Sequence, residues 1–117
     1  MNRKRSPIQM DVNDKQILLA EHLNQFRAWT HEALATAINR TREEHGCLHH
    51  IDGVFDDGTE YHMEFNVFWD DRQGGNIRVC GDITAAPQRP LFGVLPVYTS
   101  DAADDFIMAP DGTFVGE

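Results

Sequence analysis

The chain has only two cysteines, Cys47 and Cys80, among its 117 residues. So few thiols exclude a disulfide framework, and they exclude a zinc site built from two separate cysteine pairs. No apolar run approaches the roughly 20 residues that a membrane span needs. The first ten residues, MNRKRSPIQM, carry the charges of a signal peptide with no apolar stretch behind them. Export by that route is not expected, and the cytoplasm is the expected location. A G-x-S-x-G elbow, a P-loop and a dinucleotide fingerprint are all missing, so no cofactor is expected and a non-enzymatic protein is favoured. Positive charge is scarce as well: 10 basic residues stand against 19 acidic ones, for a net charge of −9. Arg3, Lys4 and Arg5 are three of those ten, so the body of the chain is more acidic than the total implies. Such a surface repels phosphate backbones and argues against nucleic acid as a partner. Asp101, Asp104, Asp105 and Asp111 are too dispersed to make a calcium loop.

What is present is ordinary globular material, 41 % apolar and 25 % charged. The length fits a single domain over 13–117, preceded by a basic, disordered tip over 1–12. Asn13 is placed to cap a helix, with Gln16 three positions on as a capping-box partner. Behind it Leu19, Leu23, Phe26, Thr30, Ala33, Leu34 and Ala37 recur at helical spacing. Gly46 suits the left-handed position after a helix end, with Arg40, Arg42 and His45 near the negative end of the dipole. These signals predict a helix over 13–45. Unbroken, it would run roughly 50 Å at 1.5 Å per residue, longer than the roughly 30 Å of a nine-residue strand. Either it breaks near Trp29 and Thr30, or one end overhangs the sheet and asks for a partner.

From Cys47 the period becomes two. Met63, Phe65, Val67 and Trp69 alternate with polar neighbours, as do Ile77, Val79, Gly81 and Ile83. Residues 48–55 place Ile51 and Phe55 on one face and His50, Asp52 and Val54 on the other. Asp56-Asp57-Gly58 matches a three-residue hairpin loop with glycine in the left-handed region, which pairs Ile51 with Met63. A two-residue turn would set Ile51 against Glu64 and mix the faces, which a half-buried sheet does not tolerate. Arg72-Gln73-Gly74 makes the next turn, pairing Trp69 with Ile77, and Pro110-Asp111-Gly112 joins 105–109 to 113–116. The segment SDAADD is expected to form a short polar turn or one helical turn. Pro87, Pro90 and Pro96 keep the stretch between 85 and 104 irregular, with 91–99 as an edge strand at most.

The predicted fold is therefore α+β: one long N-terminal helix packed on an antiparallel meander of about four to five strands. In element order this outline is similar to cystatin-like and NTF2-like folds, which host unrelated functions.

The register draws a polar row on the face turned from the helix. His50 falls opposite Glu64, Glu64 opposite Asp82, and Asp52 opposite His62. Opposed side chains there stand about 5 Å apart at Cβ. Two readings follow. The plain one is a solvated face of weak cross-strand pairs. The sharper one is a divalent metal held by His50, His62, Glu64 and Asp82, since like charges at Glu64 and Asp82 ask for a cation. The cluster HGCLHH at 45–50 is divided instead: His45 goes to the helix end, Cys47 and His49 to one side, His50 to the other. Leu91, Phe92, Val94, Leu95, Val97 and Tyr98 need cover and are the candidate interface. With the overhanging helix they favour a small acidic domain acting through protein contacts, as a homodimer. The alternative is a small-molecule protein or enzyme with a pocket between helix and sheet.

Overall fold

The computed structural model describes residues 12–85 and 101–117. Of the predicted basic tip over 1–12, residues 1–11 lie outside the described residues, as does the candidate interface from Leu91 to Tyr98, and Val12 begins a helix. Four strands form one sheet in chain order: β1 (His49–Val54), β2 (Glu60–Trp69), β3 (Ile77–Ala85) and β4 (Ala102–Met108). Every neighbouring pair is antiparallel. Helices α1 (Val12–Asn24) and α2 (His31–Glu44) lie on one face. α1 packs on β3 and β4, and α2 on β2 and β3. The α+β class expected from the sequence is thus the class observed. No helix among the described residues is long and apolar enough to cross a membrane.

The expected long helix is two helices. α1 tightens into a 3₁₀ turn over Gln25–Ala28, and Trp29 is extended at ψ 151°. Thr30 then caps α2, its hydroxyl oxygen accepting the Ala33 N–H at 3.0 Å. Thr30 had been placed in the apolar stripe, yet its cap is what starts the second helix. The break falls near Trp29 and Thr30, one of the two outcomes that the helix length allowed, although the eight positions between Phe26 and Leu34 also fit one continuous helical face. Folding back at Trp29 lets Leu19, Leu23 and Phe26 share one core with Leu34, Ala37 and Ile38. No overhang is left, which removes one of the two features that pointed to a dimer. Asn13 lies inside the first turn of α1 and is not its cap.

At the far end of α2 the left-handed residue is His45 (φ 53°), one position before the expected Gly46. Gly46 N–H reaches the Thr41 carbonyl at 3.0 Å and His45 N–H the Arg42 carbonyl at 3.4 Å, the paired bonds of a Schellman ending.

The turn residues set the register as expected. In the β1–β2 loop Gly58 (φ 87°) donates its N–H to the Phe55 carbonyl at 2.9 Å, and Ile51 pairs with Met63. The β2–β3 loop is wider than three residues: Asp70 N–H bonds the Asn76 carbonyl, and the Asp71 carboxylate caps Arg72 and Asn76 N–H groups. Trp69 still meets Ile77. The Ala109–Thr113 loop repeats the β1–β2 geometry with Gly112 at φ 88°. Beyond it the expected strand over 113–116 is reduced to an isolated bridge from Phe114 to Met108, with Val115 N–H donating to the Ile107 carbonyl at 2.9 Å. The segment expected as a polar turn, SDAADD, instead runs into β4, which begins at Ala102. Ala and Asp have low strand propensity, but the β3 edge offers a full ladder of unpaired backbone groups, and that pairing prevails.

The inner face is a filled core. Leu19, Leu34, Met63, Phe65, Ile77, Val79 and Ile83 are fully buried. Gly81 sits on that face opposite Phe65. A Cβ at Gly81 would come within 2.6 Å of the Phe65 ring and 3.2 Å of Leu19 Cδ1. Gly81→Ala is therefore expected to cost about 1–3 kcal/mol by overpacking, measured by urea unfolding. His45→Gly should do the reverse. It relieves a left-handed side chain and is expected to add about 0.5–1 kcal/mol, read from thermal melts.

Candidate functional site

The β1–β2 hairpin builds the site. Its register places His50 opposite Glu64 and Asp52 opposite His62. Residues two apart in a strand share a face, so all four side chains project from the sheet surface that carries no helix. Imidazole rings are long enough to reach diagonally as well as straight across. His50 Nε2 lies 2.9 Å from His62 Nδ1. His62 Nδ1 lies 2.8 Å from Asp52 Oδ1, and His50 Nε2 lies 3.4 Å from the same oxygen. The two rings are 4.2 Å apart at their centroids. Three ligand atoms, two nitrogens and one oxygen, thus close a small triangle on partly exposed side chains.

Charge and proton placement at the triangle follow from these distances. A hydrogen bond from His62, with the His50 charge adding to it, holds the Asp52 carboxyl below the usual carboxylate range. The three ligand atoms all lie within 4.8 Å of one another, a grouping that could hold a metal ion.

Of the four residues expected to hold a metal, the structure gathers His50 and His62 and leaves Glu64 and Asp82 one rung further along. Glu64 and Asp82 face each other across β2 and β3. Asn66 Nδ2 donates to Glu64 Oε2 at 3.2 Å. The third member of the triangle is Asp52, which the register had already set beside the row. The signal was present as His50-x-Asp52 on one face. Straight-across pairing joins Asp52 to His62, and only the diagonal reach of the His50 ring closes the triangle.

The other chemical groups are accounted for. His45 ends α2, and His49 stacks on Phe65 with ring centroids 6.2 Å apart. His31 Nε2 is 2.8 Å from the Gly75 carbonyl and ties the start of α2 to the β2–β3 loop. Arg27 lies between the rings of Phe106 and Phe114, 4.8 and 4.7 Å from their centroids. Burial, and then the carboxylates of Asp105 and Asp82, push the Cys80 thiol up, which makes it a poor nucleophile. Beside the triangle a groove of about 610 Å³ opens along the hairpin. Among the described residues its walls include Asp52 and His62, with Val54, Glu60, Tyr61 and Thr84 beyond them.

Neither the known protein families, nor the curated proteins, nor the solved structures contain a match to this chain. The site therefore rests on its own geometry.

Burial, and then the neighbouring Glu64 charge, push the Asp82 carboxyl up, with His62 opposing. A carboxyl whose folded pKa lies above its unfolded one costs stability at higher pH, and that cost vanishes as pH falls below the unfolded value. Asp82→Asn is therefore expected to raise the melting temperature at about pH 7 and to leave it unchanged near pH 3, by melts at both values.

Proposed function

We propose that the protein binds a divalent transition-metal ion, zinc foremost, through His50 Nε2, His62 Nδ1 and Asp52 Oδ1. The observation that carries this reading is the size of the triangle. Ligands held about 2.0–2.1 Å from a tetrahedral ion stand about 3.3 Å from one another, and octahedral neighbours about 2.9 Å. The three edges here are 2.9, 2.8 and 3.4 Å. Two imidazoles and one carboxylate suit zinc and its neighbours. Magnesium and calcium prefer sites made wholly of oxygen. The role is metal binding on an open sheet face, with three protein donors and a position left for a further ligand.

Partial exposure supports the same reading. The donors can meet an ion without first being dragged from a buried network, and β1 needs little rearrangement, since register already holds both histidines. The acidic surface also draws cations from solution.

Zinc, at a concentration a hundred times its dissociation constant, should add about 2.7 kcal/mol of stability. The test uses a chain free of any histidine tag and follows the melting temperature with and without chelator. An increase of several degrees is expected, lost in His50→Ala and His62→Ala and retained in His49→Ala. An unchanged melting temperature in the parent chain, or an increase that survives His62→Ala, overturns the proposal.

A further inference from the structure

The groove along the hairpin has a chemistry of its own, and we infer that it selects a small monocarboxylate with an apolar body, bound through the metal. The inference rests on the metal reading above and names the ligand class of that same site. Three protein donors leave at least one coordination position open, as sites that take exogenous ligands do. Asp52 and His62 belong to the groove wall, while His50 is not among its described lining residues. The ion therefore sits at the rim of the groove, on the free sheet face, and a donor atom from an occupant of the groove can reach it.

Charge decides the head group. A divalent ion with one carboxylate ligand, Asp52, retains a net positive charge, so the open position favours an anionic oxygen. Carboxylate oxygen is a fitting donor for an ion of this type.

The body of the ligand is decided by the walls beyond the ion. Val54 is 63 % exposed, which is unusual for a strand valine and leaves its methyl groups free to be covered. The Tyr61 ring lies on the other face, over Gly53 and against Phe55. The apolar surface next to the ion is therefore that of Val54, two residues from Asp52 on the same face. Each methylene fully covered there tightens binding about fourfold.

A second negative charge is excluded by Glu60. It lies two residues before His62 on β2, pairs with Val54, and shares the groove wall. Two residues along a strand span about 6.6–6.8 Å. A dicarboxylate that ligates the ion with one end therefore brings its other end toward Glu60. An aliphatic monocarboxylate brings only carbon there.

Three probes separate these contributions: acetate, hexanoate and adipate, each added to the full chain loaded with cobalt(II) in place of zinc. Cobalt has a visible spectrum that responds to a change of ligand, and isothermal titration supplies the affinities. Hexanoate should bind at least tenfold more tightly than acetate, and at least fivefold more tightly than adipate. Glu60→Gln should remove most of the difference between hexanoate and adipate. Val54→Thr, close to valine in volume, should remove most of the difference between hexanoate and acetate. Equal affinities for all three carboxylates, or a cobalt spectrum indifferent to hexanoate, overturn the inference and leave the metal reading standing. A chain that takes up no cobalt overturns both.

Discussion

The hydrogen bond from Gly58 N–H to the Phe55 carbonyl governs more of this molecule than any other single contact. It closes a three-residue loop whose last member must sit in the left-handed region, where glycine is at ease. That loop length fixes which residue of β1 meets which residue of β2. Side chains alternate with a period of two, so a slip of one residue would turn the whole of β1 over. Ile51 would leave the core face, and His50 and Asp52 would leave the free one. The core and the candidate metal site are thus consequences of one turn.

The two faces of the sheet then solve different problems. The inner face is a packing problem, settled by shape. Phe65 and Leu19 approach across Gly81 because glycine leaves the space, and the two helices fold back at Trp29 so that both apolar stripes meet β2, β3 and β4. The free face is an electrostatic problem. His50, Asp52 and His62 converge at one end, Glu64 and Asp82 confront each other in the middle, and Arg78 is paired with Asp70 and Asp105 at the other. Charges on such a face are partly solvated, so they cost little stability and remain available to an ion or a ligand.

The helix region was less legible than the sheet. Thr30 reads equally well as the polar member of a stripe and as a cap, and only the direction of the chain after Trp29 separates the two. At the end of α2, His45 holds the left-handed conformation although the more permissive Gly46 is next to it. The backbone bonds to Thr41 and Arg42 outweigh the cost of the His45 side chain. The start of β4 was hidden for a related reason. Ala102, Ala103, Asp104 and Asp105 carry no strand signal of their own, and it is the vacant edge of β3 that makes them a strand.

By itself the sequence determined the alternation of the strands, the turn residues between them and therefore the register, because these depend on neighbours within a few positions. It determined which histidine faces which way in the stretch 45–50 for the same reason. Tertiary structure alone decided that the helix breaks near Trp29 and Thr30 in place of overhanging the sheet, that the strand expected over 105–109 reaches back to Ala102, and that Asp52 completes the triangle in place of Glu64 or Asp82. Each of these turns on distances between residues far apart in the chain, or on the reach of a ring across a diagonal. A one-dimensional pattern carries the period of a strand but not the direction in which its side chains lean.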